Sequence, residues 1–313
     1  MILTVTLNTA LDLTYRVPRL DVHGSHQVRE VVQRPGGKGL NVARVLAALG
    51  HDTVVTGFAG GLTGRELREL LADEGDITDE LVPTRGSTRR TVGVVDEAGG
   101  ASTQFNEPGP HISPEEWSAF RDAYARLLRE RGAQAVALCG SLPPGVPVGA
   151  YAQLTREAHA AGVPVVLDTS GEPLRRGLAA RPDLVKPNAG ELAGITGTTE
   201  PLRAARAAQR RGAHSVAASL GPEGMLLVTP DGTWQAGPPR SLTGNPTGAG
   251  DSAVAGLLSG LVEGLPWPDR LARAVALSAA TVRAPTAGEF DEEVHADLLS
   301  RVTVEKSGEP LPE

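Results

Sequence analysis

The chain has 313 residues, long enough for one large α/β domain with an elaboration or for two domains. Hydrophobic residues make up 40% of it and aromatics only 3%, so a sizeable core must be built mostly from Ala, Val and Leu. The net charge of −7 excludes a general attraction to nucleic acid or to an anionic membrane, so an anionic substrate would need a local cluster of positive groups.

Met1-Ile2-Leu3-Thr4-Val5-Thr6-Leu7 lacks the basic start and long apolar run of a secretory signal and reads as a first strand. From there, apolar runs bounded by turn residues alternate with helical patterns. The runs at 2–7, 53–58, 135–138, 163–167, 184–185 and 215–219 predict buried strands. Helical candidates lie at 39–49, 64–74, 114–131, 149–161 and 202–211. This alternation implies βαβ crossovers, hence an α/β fold with a mostly parallel sheet and helices on both faces. Ligands are then expected outside the carboxyl ends of the strands.

Segments 12–34 and 89–105 break the rhythm, being more polar and alternating residue by residue. They predict a small antiparallel β-sheet lid with a hairpin turn at 97–100, against the alternative of two ordinary surface hairpins. The chain then divides into a core (1–11, 35–86 and 107–302), a lid (12–34 and 87–106) and a polar, Pro-ended tail (303–313) expected to fray. No apolar run approaches the ~20 residues of a membrane span, so neither a membrane nor a nucleic acid is an expected partner. The only cysteine, Cys139, rules out an intramolecular disulfide and fits a reducing cytoplasm. Packing at a buried strand end explains it better than a catalytic thiol does.

Several segments carry chemistry. Asp12 follows the first strand, where a carboxylate can grip sugar hydroxyls or simply cap a turn. Pro35-Gly36-Gly37-Lys38-Gly39-Leu40-Asn41 places a positive charge among glycines, with Asn41 one helical turn beyond Lys38; a surface turn is the plainer reading. Arg89 can give a bidentate contact to a phosphate, whereas Arg90 beside it can equally be a solvated charge. Ser141, in Gly140-Ser141-Leu142-Pro143-Pro144-Gly145, can donate to a phosphate or hydroxyl.

Lys186-Pro187-Asn188-Ala189-Gly190-Glu191 contains an Asn-x-x-Glu spacing that suits a hydrated Mg²⁺ and suits a helix capping box equally well. Ser219, Gly221 and Gly224 leave room for a flat ligand such as a nucleotide, or make a hairpin turn. Gly248-Ala249-Gly250-Asp251 opens an apolar helix, where free amides can hold an anion beside a carboxylate placed to take a proton. None of the seven histidines has zinc-ligand spacing, and His23 and His26 read as surface residues of the lid.

Gly36–Gly39 with Asn41, Lys186–Glu191 and Gly248–Asp251, in this order, resemble the signatures of the ribokinase-like PfkB family of sugar kinases over nearly the whole chain. Within that family the chain is most similar to the phosphosugar kinases, above all the branch acting on fructose 1-phosphate, with tagatose 6-phosphate and fructose 6-phosphate as alternatives. The resemblance implies a three-layer α/β/α core with a β-sheet lid, and transfer of the ATP γ-phosphate to a sugar-phosphate hydroxyl. It implies Asp251 as catalytic base, with Gly248, Ala249 and Gly250 as an anion hole. It also implies Asp12, Gly37, Lys38 and Asn41 on the sugar, with Arg89 and Ser141 near its phosphate. Lys186, Asn188, Ser219, Gly221 and Gly224 would line the ATP site, and Glu191 would help to place Mg²⁺.

The chain departs from the family in three places. Thr9 stands where relatives more often carry proline, Arg90 where asparagine is more usual, and His23, His26 and Arg29 where lysines are expected. A sheet-built lid invites pairing of two chains, so a homodimer through the lid is expected. A non-catalytic sugar-phosphate-binding regulator would be expected to lose the base, the anion-hole glycines or the Asn-x-x-Glu, and all three remain. A nicotinamide-dependent enzyme is excluded at 7–13, which lacks a G-x-G-x-x-G turn.

Overall fold

A computed structural model describes residues 1–99, 101–240 and 242–307. The first part of the chain forms β1 (Ile2–Thr6), β2 (Ala10–Val17), β3 (Val31–Gly36), α1 (Lys38–Ala48), β4 (Thr53–Gly60) and α2 (Gly61–Asp73). Next come β5 (Ile77–Asp79), β6 (Val82–Thr84), β7 (Arg89–Asp96), β8 (Ala101–Asn106), α3 (Pro114–Glu130), β9 (Ala135–Cys139) and α4 (Ala150–Ala160). Then follow β10 (Val165–Asp168), α5 (Gly171–Leu178), β11 (Leu184–Val185), α6 (Ala189–Thr196), α7 (Pro201–Arg210) and β12 (Ser215–Ser219). The last are β13 (Met225–Thr229), β14 (Gly232–Ala236), α8 (Ala249–Val262), α9 (Trp267–Thr281), α10 (Glu292–Leu299) and β15 (Val304–Lys306).

The main sheet runs β15-β14-β13-β12-β11-β10-β9-β1-β4-β5, with β6 also on β4. From β12 to β5 every pairing is parallel, and β13, β14 and β15 add antiparallel at one edge. Alternation along the strands splits the core in two. Leu3, Val5, Val136 and Leu138 pack with α3–α7 on one face, whereas Ile2, Ala135, Ala137 and Val166 pack with α1, α8 and α9 on the other. The small side chains of α8, such as Ala253, Ala255 and Gly256, let it lie close to α9, where a Cβ on Gly256 would press on the Ala274 backbone at 2.8 Å. The sheet is therefore covered on both faces, which explains its continuous apolar strands. Among the described residues no helix is long and apolar enough to cross a membrane.

β3-β2-β7-β8 form a second, four-stranded sheet, the lid. The expectation of an antiparallel flap is corrected here. β2–β3 and β7–β8 are antiparallel, but β2 and β7 pair in parallel from Ala10↔Arg89 to Val17↔Asp96. Both strands leave the core beside the same edge and run outward together, and β3 brings the first of them back to α1.

The expected frayed tail is also corrected. Val304–Lys306 pairs with Trp234–Ala236 and extends the main sheet. Its polar side chains mark an exposed edge strand rather than a loose end. Residues 308–313 of the tail and Gly100 of the expected hairpin turn lie outside the described residues.

Candidate active site

Parallel register brings the carboxyl ends of the central strands to one edge. Thr6 pairs with Cys139, and Cys139 with Asp168, while Leu167 pairs with Val185. Asn8, Gly140-Ser141, Asp168, Lys186 and Ser219 therefore emerge side by side. α1 adds Lys38 and Asn41, the lid root adds Asp12 and Arg89, and α8 adds Asp251.

Gly248 caps α8 in the left-handed region (φ 86°), and a Cβ there would lie 2.9 Å from the Cα and Cβ of Ala287. The turn sets Asp251 in the first helical turn, 7% exposed, where its Oδ2 accepts a 2.8 Å hydrogen bond from Asn41 Nδ2. Burial pushes the Asp251 carboxyl up to about 6, with help from the Asp168 charge, against Lys38, the Asn41 bond and Lys186. The Ala249 N–H donates to the Pro246 carbonyl at 3.1 Å, so an anion arriving there competes with that bond. Gly250 leaves room for a lysine: a Cβ on it would sit 3.4 Å from Lys186 Nζ.

Nothing in the sequence pattern marks Asp168, yet it lies between the two lysines. Its carboxylate is 3.1 Å from Lys38 Nζ and 3.4 Å from Lys186 Nζ, and it is 1% exposed. The second contact is an ion pair too long for a good hydrogen bond, leaving Oδ1 without one. Burial works against the charge on Lys38, but Asp168, Asp251 and Glu191 outweigh it and its pKa is raised. The available signal was positional: an acid closing a buried strand at the ligand edge of the sheet. Lys186, expected among nucleotide contacts, sits deeper, beside Gly250.

Gly37, Lys38, Arg89 and Ser141 line one pocket of about 240 Å³ with Asn8 and Glu191. Asn8 Nδ2 donates to Ser141 Oγ at 3.1 Å and to the Pro108 carbonyl at 3.2 Å. Arg89 reaches the carbonyls of Asn8 and Glu107, each at 3.3 Å. Asp12 and Asn41 line a tighter space of about 90 Å³ between lid and core. The Asp12 carboxylate lies over Gly36, where any Cβ would collide with it. Burial raises its pKa against a Thr91 hydrogen bond and the Arg89 and Arg44 charges.

Ser219, Gly221 and Gly224 face Thr243, Pro246 and Gly250 across a cleft of about 780 Å³. Val275 and Ala279 of α9 form a wall that the sequence reading did not assign. Gly224 is left-handed (φ 92°), and a side chain there would meet the Ala236 carbonyl.

The capping box at α6 is present. Asn188 Oδ1 accepts from the Glu191 N–H at 2.8 Å, and Glu191 Oε2 accepts from the Asn188 N–H at 2.9 Å. Asn188 lines the cleft and Glu191 lines the Lys38 pocket, so the pair bridges the two.

Arg90 is exposed, with its N–H on the Glu107 carboxylate at 2.8 Å. His26 bonds the Asp21 backbone in the loop between β2 and β3, and neither it nor His23 lines the pockets described. Cys139 is fully buried at the end of β9, and burial pushes its thiol well up, as suits a packing residue.

Residues 5–293 match the profile of the pfkB family carbohydrate kinases. A 1-phosphofructokinase from Rhodobacter capsulatus is 39% identical over 285 residues, covering 89% of this chain and 90% of the relative. A 1-phosphofructokinase from Haemophilus influenzae is 36% identical, covering 97% of each. The crystal structure of phosphofructokinase-2 from Escherichia coli superposes with a TM-score of 0.89 at 31% identity, covering 96% of this chain and 98% of that one.

Proposed function

The chain belongs to the pfkB family of carbohydrate kinases, and from that premise we propose that it phosphorylates fructose 1-phosphate on its 6-hydroxyl with ATP, giving fructose 1,6-bisphosphate and ADP. Two relatives named for this activity, each matching about nine-tenths of the chain or more, support the substrate. The observation that carries the chemistry is Asp251, a buried carboxylate with its pKa near 6 at the start of α8, hydrogen-bonded to Asn41 and next to Gly250, which lines the nucleotide-sized cleft.

The acceptor's phosphate is read against Lys38, Arg89 and Ser141, with Asp12 and Asn41 on its hydroxyls. ATP is read in the cleft of Ser219, Gly221 and Gly224. Asp251 takes the hydroxyl proton as the sugar oxygen attacks the γ-phosphorus, and the bond to the β–γ bridging oxygen breaks toward ADP. Lys186 and Gly250 meet the charge that gathers on the transferring group, with Gly248 and Ala249 completing the turn.

The residues fit Mg²⁺. The ion commonly keeps several waters and takes only one or two carboxylates besides substrate phosphates, and Glu191 offers one carboxylate in the Lys38 pocket while its capping partner Asn188 lines the cleft. When bound there, Mg²⁺ would neutralise polyphosphate charge. The single buried cysteine supports placing the enzyme in the cytoplasm. We extend the proposal to assembly, with two copies joined through their lids.

The test is a kinase panel with ATP and Mg²⁺ over fructose 1-phosphate, tagatose 6-phosphate, fructose 6-phosphate, fructose and ribose. The expected outcome is the highest kcat/KM on fructose 1-phosphate. A higher value on another sugar overturns the substrate, and no turnover on any of them overturns the kinase reading.

A further inference from the structure

The amide that touches Asp251 is itself held from behind. Asn41 Oδ1 accepts a 3.0 Å hydrogen bond from Arg44 Nη1, one turn along α1. Arg44 is fixed in turn: its Nε lies 2.8 and 2.9 Å from the two Glu74 oxygens at the end of α2, and Nη2 donates to the Pro35 carbonyl. Gly288 closes the back of the pair, where a Cβ would come within 3.1 Å of Arg44 Cδ and 3.2 Å of Asn41 Oδ1. Asn41 and Arg44 are 8% and 9% exposed, so water does not substitute for these contacts.

A guanidinium offers only donors and a carboxylate only acceptors. An amide placed between them has one satisfied orientation, with oxygen toward Arg44 and nitrogen toward Asp251. We propose that Arg44 is a positioning residue which locks the Asn41 amide with its NH₂ end on Asp251, so that the base is held in place and kept ionised between turnovers. Without Arg44 the amide is free to turn and present its oxygen, which a protonated Asp251 would welcome as an acceptor. The base would then retain its proton.

The inference rests on Asp251 being the base. The charged groups facing Asp251 are Lys38 from α1, Asp168 from β10 and Lys186 just after β11. Those facing Arg44 are Glu74, Arg34 from β3 and Asp12 from β2. Pro35 belongs to β3 of the lid and Glu74 caps α2, so Arg44 joins α1, α2 and β3 behind the reacting carboxylate.

The test measures the pH profile of kcat in Arg44→Met and, if that variant does not fold, in Arg44→Lys. The lysine keeps a charge for Glu74, but its single ammonium cannot serve Glu74, Pro35 and Asn41 together. The expected result is a roughly tenfold fall in kcat at pH 7, an acidic limb moved up by about one pH unit, and a KM for ATP within about twofold of wild type. The same substitution in an Asn41→Ala background is expected to add little, because Arg44 acts through that amide. An unchanged limb in a folded variant, or a loss of full size in the Asn41→Ala background, overturns the proposal. Failure of the underlying reading looks different: Asp251→Asn would then keep its turnover.

Discussion

The burial that readies Asp251 for proton transfer also costs the fold. Its carboxyl is raised from an ordinary 3.8 to about 6, so the stability tied to its protonated form is complete below pH 3.8 and lost as pH rises through 6. At pH 8 the ionised side chain therefore costs on the order of 1–3 kcal/mol. Asp251→Asn should melt at a higher temperature than wild type at pH 8, with the difference fading toward pH 4, while turnover falls at least about a hundredfold. Equal melting shifts at both pH values would remove the ionised carboxylate as the source.

Asp168 adds to that shift, because its negative charge opposes ionisation of Asp251. It raises Asp251, so Asp168→Asn should move the acidic limb of kcat below 6. The same change strips the almost fully buried Lys186 of its carboxylate and should cost about 2–4 kcal/mol by denaturant titration. A limb that stays in place would show that Asp168 orders the lysines without tuning the base. Asp168 also marks where residue-level reading stops. Asp251 was legible because glycines and a helix start surround it, whereas Asp168 ends a plain apolar strand and gains meaning only when two distant lysines close on it.

At the scale of elements, the capping box of α6 and the metal role of Glu191 are separable. Glutamine also completes such a box, so Glu191→Gln should leave stability within about 0.5 kcal/mol of wild type, whereas Asn188→Ala should cost about 1 kcal/mol. If Glu191 also places Mg²⁺, the glutamine variant should need more Mg²⁺ for half-maximal rate and have a lower kcat. A Mg²⁺ titration superimposable on wild type would leave Glu191 as a cap alone.

The central strands and the long amphipathic helices were legible because burial on both faces writes continuous apolar runs, and one-sided burial writes a helical stripe. α9 was not read, although Leu271, Ala274, Val275 and Leu277 carry a helical apolar stripe. The parallel pairing of β2 with β7 was not either. Residues 10 and 89 meet because both strands spring from one edge of the core, which no local pattern records.

At the scale of the whole molecule, the lid shows two unlike faces. One face looks onto the site: Asp12, Thr91 and Gln104 line the space above Asn41, and Arg34 ties the lid to the core through Thr286 and Glu289. Residues of the other parity form rows across the opposite face. Leu13 pairs with Val92 and Val92 with Phe105, while Val31 pairs with Tyr15 and Tyr15 with Val94. Phe105 is 61% exposed and Val31 49%, and they sit on β8 and β3, the two edges of the lid sheet. A contiguous apolar face on a thin sheet is what a second copy would cover, and isologous packing of two lids would bury both rows at once. Light scattering should therefore give twice the mass of the chain at micromolar concentration. Phe105→Asp places a charge on that face, on the side of the sheet opposite Asp12 and Arg34. It should weaken association by about tenfold or more. A wild-type chain that stays monomeric throughout the titration, or a Phe105→Asp variant that associates as tightly as wild type, would rule the lid face out as the contact.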